Sequence, residues 1–435
     1  MEAGPVKIYT LETTPRLQFI ADFIFREILG LSCEIVTDRR RLGKYPVINY
    51  SGIKLPGSFT ISPVRLLFET GVNCQEIRVD YWKDLPVFFQ SSDNSDLPFD
   101  IFAASFFLVT RYEEYYTSET DKFGRFPSAC SLASRHGFLG IPVIDLWARE
   151  LARSLVKRFV NITFRRNEFK SILTFDIDEA FEYLGRNIIG SIEGILTDIK
   201  TGSGKVHLRL DTLRGEKKDP YEVFDYMTEA CDRNNIDPFF FFPVGNRSVY
   251  ENNPSWKSER YRGLINIIAE KCVVGLHPSF KASEKLMLLK TELARLNAIL
   301  KSECNKSRFH FLKISMPLSF RNLNDAGIRE DYSMGYPDEC GYRAGTGRSF
   351  RFYDLHREKG TDLRIFPFQV MDITLREYKK LNPDDAKVVI GNQIEQTRKA
   401  GGVFTSIWHN TSLIDTPECR EWRQVFEFTL MEQSK

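Results

Sequence analysis

Leu173-Thr174-Phe175-Asp176-Ile177-Asp178 is an apolar run that ends in two carboxylates. A run of this kind reads as a buried parallel strand that releases polar groups at its C-terminal end. Two distant stretches follow the same plan. Val273-Val274-Gly275-Leu276-His277-Pro278 ends in a histidine, and so does Val403-Phe404-Thr405-Ser406-Ile407-Trp408-His409-Asn410. In α/β barrels the C-terminal strand ends are where catalysis sits. The chain has only six histidines, so two at matching strand ends point to one shared, metal-dependent hydrolytic site.

Outward from these runs, strands and helices alternate. Ser171 to Phe175, Phe239 to Val244, Cys272 to Leu276, Phe309 to Ser315, Arg364 to Val370 and Val403 to Trp408 read as strands. Between them, Asp219-Pro220-Tyr221-Glu222 predicts a helix start with a cap, a first-turn proline and an acid at the third position. Helices are also expected over Ser255 to Lys271, from Ser283 with Leu286, Leu289, Leu293, Leu296 and Leu300 on one face, and from Asn382-Pro383 to Gly401-Gly402. The segment Asp198 to Lys218 is polar, with little periodicity. Alternation of this kind predicts an α/β fold.

Residues 1–166 read as a separate, smaller mixed α/β unit, with residues 167–435 as the second domain. Thr14-Pro15 opens an amphipathic helix, Asp100 opens a very apolar one that ends in Arg111-Tyr112-Glu113-Glu114, and Asp145 is expected to cap a third. The charged stretch Arg165-Arg166-Asn167-Glu168 marks the boundary.

The chain has 435 residues, 42% of them hydrophobic and 27% charged, as in a globular protein large enough for two domains. Sixty basic residues offset 58 acidic ones, for a net charge of +2. That balance gives no argument for nucleic acid or an acidic membrane as a partner. No stretch approaches the roughly 18 uninterrupted apolar residues of a membrane span. Eight scattered cysteines without a Cys-x-x-Cys pair read as reduced thiols, and no secretory signal is evident at Met1 to Lys7. A cytoplasmic protein is expected.

Asp176 and Asp178 lie two apart, so an extended backbone points both to one face. Two such carboxylates repel, and a cation between them or a shared proton relieves this. One can hold a metal while the other acts as base. Asp-x-Asp also reads as a strand end whose aspartates cap the next helix. His277 alone also reads as a structural hydrogen-bonding residue. In Ser307-Arg308-Phe309-His310-Phe311 alternation puts Arg308 and His310 on one face, which makes a basic pair a site candidate. Gly341-Tyr342-Arg343-Ala344-Gly345-Thr346-Gly347 lacks the Gly-Lys-Ser/Thr ending of a phosphate loop, and its arginine can instead orient a carboxylate. His409 stands where a general acid would, or is a satisfied core histidine beside Trp408.

Taken in order, these segments resemble the polysaccharide deacetylase family, the NodB-homology group or carbohydrate esterase family four. Thr174-Phe175-Asp176-Ile177-Asp178 is similar to its Thr-Phe-Asp-Asp motif, with one residue inserted. Gly275-Leu276-His277 matches the opening of its His-(Ser/Thr)-x-x-His motif, but the second histidine's place is taken by Lys281. Gly341 to Gly345 is similar to its Arg-x-Pro-aromatic motif without the proline and the aromatic in place, and Ile407-Trp408-His409 to its Leu-x-His motif.

The resemblance implies an irregular (β/α) barrel of about seven strands and a hydrolase that removes an N-acetyl group from a carbohydrate. It implies Asp176 as base, held by Arg343, and His409 as acid. The metal, with zinc expected, falls to Asp178 and His277, with His310 in place of the missing histidine. Asp372 in Val370-Met371-Asp372 is expected to orient a catalytic side chain. Asp100 to Tyr116 and Asp121-Lys122-Phe123-Gly124-Arg125-Phe126 resemble the accessory domain that precedes divergent deacetylase domains. Two alternatives stand beside this reading. One is a barrel amidase for a small amide. The other is a non-catalytic carbohydrate-binding or assembly protein in which Lys281 pairs with Asp178 where the metal would sit.

Overall fold

The computed structural model describes residues 5–159, 162–165, 167–185 and 205–435. The polar segment's first residues, 198–204, and Arg166 lie outside the described residues. The chain begins with a small sheet of four parallel strands, β1 (Val6–Tyr9), β2 (Cys33–Val36), β3 (Val47–Asn49) and β4 (Phe59–Thr60), in the order β2-β1-β3-β4. A short antiparallel hairpin of β5 (Asp80–Trp82) and β6 (Leu85–Val87) follows.

The helix Ile101–Val109 is buried along its whole length, as its sequence Ile-Phe-Ala-Ala-Ser-Phe-Phe-Leu-Val requires. Asp100 caps it, accepting from the backbone N–H groups of Phe102 and Ala103. Burial pushes the Asp100 carboxyl up to about 6, against the four hydrogen bonds it accepts.

The second part of the chain builds one sheet of nine strands: β7 (Lys170–Asp176), β8 (Phe239–Phe242), β9 (Val273–Leu276), β10 (Lys306–Ser307), β11 (Glu330–Asp331), β12 (Phe350–Asp354), β13 (Lys359–Ile365), β14 (Val370–Met371) and β15 (Val403–His409). Their order is β12-β13-β11-β10-β9-β8-β7-β15-β14, and every neighbouring pair is parallel except β12 and β13. The fold is mixed α/β. No pairing joins β12 to β14 among the described residues, so the strand ladder is open where a barrel of about seven strands was expected.

The longest pairing in the sheet is β7 with β15, one strand in from the β14 edge and in register from Lys170 with Val403 to Asp176 with His409. Both strands are apolar because both faces are covered. Phe175, Phe240 and Trp408 belong to one continuous core that also takes in Phe102, Phe106 and Trp147 from the first 160 residues. Each such side chain contributes about 1.5–3 kcal/mol by leaving water.

Ser283 does not cap the helix Leu286–Leu300, since it lies in the preceding turn Phe280–Ser283, and Arg364 to Val370 is broken between β13 and β14. Three further expectations fail for identifiable reasons. Asp219 does not start a helix; the helix is Phe224–Arg233. The Asp219 carboxylate instead accepts from the backbone N–H groups of Glu182, Tyr183 and Leu184, in the segment that leaves β7. Asp145 does not cap the helix Val143–Arg158 but lies in its first turn. There it pairs with Arg348 at 2.8 Å and accepts from the Thr346 hydroxyl. Phe309 to Ser315 is not a strand: Phe311 and Leu312 have φ of +58° and +52°, which ends pairing at Ser307.

Candidate metal centre

The register of the sheet sets the site. Asp176 and His409 are direct neighbours on β7 and β15, both at C-terminal ends. Asp178 follows two residues later, His277 leaves β9, and His310 follows β10 by a single turn. The structure thus brings Asp176, Asp178, His277, His310 and His409 to one cavity of about 220 Å³. Phe311, Leu312, Pro337, Met371 and Ile373 give it apolar walls.

Asp178 is the hub. Its Oδ1 lies 3.0 Å from His277 Nε2, and its Oδ2 lies 3.5 Å from His310 Nε2 and 3.7 Å from His409 Nε2. One ligand atom each from Asp178, His277 and His310 fall within 4.8 Å of one another, a possible three-residue metal site. His277 Nδ1 lies 2.5 Å from the Arg308 carbonyl oxygen. A carbonyl only accepts, so Nδ1 carries a proton, which leaves Nε2, the nitrogen turned to Asp178, as the ring's metal-binding atom. Asp178 Oδ1, 3.0 Å from that nitrogen, is buried without a hydrogen-bond partner. An orphaned carboxylate oxygen beside two imidazole nitrogens suits a cation, and Asp/His donors match zinc and related divalent ions. The residues present therefore fit a metal.

Protons mark the same centre electrostatically. Burial works to raise the Asp178 carboxyl, but His310, His277 and His409 together hold it well below the usual carboxylate range. Burial would lower His310, yet Asp178 and then Glu251 push it up to about 9. Glu251 was not anticipated in the sequence. It is buried, fixed by the Phe280 N–H at 2.7 Å, and its Oε1 lies 3.7 Å from His310 Nδ1. Metal binding at Asp178, His277 and His310 would displace the proton His310 holds.

Two flanking pairs complete the cluster. His409 Nδ1 donates to Asp372 Oδ1 at 2.7 Å, and the His409 backbone N–H donates to Asp372 Oδ2 at 2.8 Å. Asp372 is fully buried and turns the free Nε2 towards the cavity. Burial would lower the His409 imidazole, but Asp372 chiefly, then Asp178 and Asp176, raise it to about 10.

Asp176 has a different partner from the one expected. Arg343 does not reach it. Its guanidinium donates to both oxygens of Glu114, at 2.9 and 2.7 Å, and to the Gly335 carbonyl. Glu114 also holds Arg111 at 2.7 Å, so a buried carboxylate at the end of the first apolar helix absorbs both arginines. Arg308 takes the assigned place. It donates to Asp176 Oδ1 at 2.9 Å, to the Thr174 hydroxyl at 2.7 Å and to the Tyr332 carbonyl at 2.9 Å. Its guanidinium also lies 4.6 Å from the centre of the Phe241 ring. Gly275 makes room for that ring, since a Cβ there would lie 2.5 Å from it.

Lys281 is exposed on the turn Phe280–Ser283, and no ion pair joins it to Asp178. The lysine-filled site expected of a non-catalytic protein is not present. Among the described residues no helix is long and apolar enough to cross a membrane.

Residues 6–160 match the profile of a family of unknown function, DUF7033. No curated protein matches the chain. Among solved structures, the chain is similar to a candidate polysaccharide deacetylase from Mycobacterium smegmatis, at 12% identity and a TM-score of 0.40, over 62% of this chain and 86% of that one. It is similar to a polysaccharide deacetylase from Bacillus cereus at 11% identity and a TM-score of 0.31, over 61% and 87% of the two chains. A mutant CE4 family pseudoenzyme with restored enzymatic activity aligns at 12% identity and a TM-score of 0.31, over 62% and 65%. All three likenesses are distant, and none assigns a role to a side chain of this protein.

Proposed function

We propose that the chain is a metal-dependent hydrolase that removes an acyl group, an acetyl in the first instance, from the nitrogen of a carbohydrate or its precursor. Residues 167–435 form the hydrolase unit in this reading, and residues 1–166 the accessory unit. The observation that supports it is the convergence of three sets in one cavity: Asp178 with His277 and His310, Asp176 on Arg308, and His409 on Asp372.

Asp178, His277 and His310 would hold the cation, zinc before other divalent ions. Such a cation supplies Lewis acidity that polarises the acyl carbonyl and acidifies water. Asp176 takes the proton of the attacking water, and the buried Arg308 keeps its carboxylate aimed. His409, charged on Asp372, gives a proton to the departing amine. Apolar walls exclude bulk water from the reacting atoms.

One observation favours a second reading, a small-amide amidase using the same groups. The cavity of about 220 Å³ is smaller than the roughly 300–1,000 Å³ that encloses a drug-sized ligand. Both readings are tested by zinc-loaded protein incubated with N-acetylglucosamine, chitin oligomers and simple acetamides, with acetate release followed. Asp176→Asn is expected to lower turnover by on the order of 10²–10⁴, the usual worth of a general base. Release from the acetamides alone would favour the amidase. Acetate release unchanged by Asp176→Asn would remove the mechanism.

A further inference from the structure

His310 stands on a turn with an unfavourable backbone. Phe311 and Leu312, the next two residues, both have positive φ, at +58° and +52°. Neither is a residue type that adopts the left-handed region readily. Two such residues in succession persist only where their surroundings hold them.

Residues of the sheet side hold part of it, through the Phe280 and Tyr250 rings on Phe311 and the Pro278 carbonyl on the His310 N–H. The rest comes from one loop of the segment that matches the family of unknown function. Arg125 donates to the Phe311 carbonyl at 2.8 Å. Lys313, just after the turn, donates back to the Gly124 carbonyl at 2.9 Å. The Phe123 ring packs on the Phe311 ring, with centroids 5.1 Å apart. The loop is itself fixed, because Asp121 accepts from the backbone N–H groups of Phe123 and Arg125 at 2.9 Å each and from Arg125 Nε at 2.7 Å. The remaining Arg125 nitrogen donates to the Tyr378 hydroxyl at 3.1 Å, and Tyr378 also lines the cavity. Arg125, which itself lines the cavity, therefore ties two of its walls together.

We infer that the Asp121–Arg125 loop is a positioning element of the site, through which the N-terminal segment holds His310 towards Asp178 by way of the Phe311 carbonyl. Arg125 is a positioning residue in this scheme: its charge is matched by Asp121, and it acts through the backbone that carries His310. The inference rests on His310 as a cation ligand, but the ring's placement is measurable without any cation.

The test uses the full chain with isotope-labelled histidine, and His310→Gln assigns the signal. In Arg125→Met the His310 imidazole resonance is expected to broaden or double, while that of the exposed His207 stays unchanged. With zinc as the probe, the dissociation constant is expected to rise about 10- to 100-fold, as when a ligand's support is removed. Arg125→Lys, which can still reach one acceptor, should recover part of both. If Arg125→Met does not fold, Asp121→Asn loosens the same guanidinium and carries the same expectation. A folded variant whose His310 resonance and zinc affinity stay within twofold of the parent overturns the inference. If the parent binds no zinc, the ligand role falls, while the resonance still decides whether the loop positions the ring.

Discussion

Asp372 determines what His409 can do. Burial alone would favour a neutral imidazole, yet the Asp372 carboxylate on Nδ1 raises His409 to about 10. An acid works only below its own pKa, so this proton is available at neutral pH and lost as pH rises through that value. Asp372→Asn removes the charge and leaves an amide of similar shape. The expected outcome is a lower pKa for His409, a basic limb of kcat/KM that moves to lower pH, and a fall in turnover of on the order of 10²–10⁴. A pH–rate profile checks it; an unmoved basic limb would take the acid role away from His409.

At this scale much of the cluster was legible in the sequence. Asp176, Asp178, His277 and His409 each close or follow an apolar run, and strand ends are where side chains from different strands meet. Glu251 was not legible, because it lies in a loop with no periodic pattern and reaches His310 only through the fold.

Elements explain the exchange of arginines. Arg308 leaves β10 directly beside β9, and its backbone N–H bonds the Leu276 carbonyl at 3.0 Å, so its side chain is delivered to Asp176. Arg343 sits in a loop between strands and meets the end of the helix Ile101–Val109, where Glu114 waits. Its glycine-flanked setting gave no sign of that partner, because the partner lies 229 residues away. Arg343→Met strands part of a fully buried ion cluster. It should destabilise the protein by about 3–5 kcal/mol, read from the denaturant midpoint, with zinc affinity retained in the folded fraction. Arg308→Met should instead lower acetate release at least as strongly as Asp176→Asn. The opposite assignment of losses would restore Arg343 to Asp176.

The elements read wrongly share a cause. Phe309 and Phe311 alternate with basic residues as a strand would, but the Arg125 bond and the Phe123 ring hold a turn there. Asp219 and Asp145 carry the local signature of helix caps, and long-range partners claim both carboxylates. Local propensity is a weak prior where a distant donor is available.

At the scale of the whole molecule, the first 160 residues share one core with the nine-stranded sheet and meet it through buried polar contacts. Arg16 with Glu358, Asp145 with Arg348 and Glu114 with Arg343 all cross from one to the other. The strand alternation foretold an α/β fold, but not which edges of the sheet stay open or how the first segment reaches the site. Those depend on contacts between residues hundreds of positions apart, which no window of sequence contains.

The central claim is that Asp178, His277 and His310 hold one divalent cation. Zinc-soaked crystals of the full chain, with anomalous diffraction collected at the zinc edge, address it directly. The account predicts one strong peak bonded to those three side chains at about 2.0–2.2 Å, absent in Asp178→Ala. No peak at the site, or a zinc held by other residues, would contradict it.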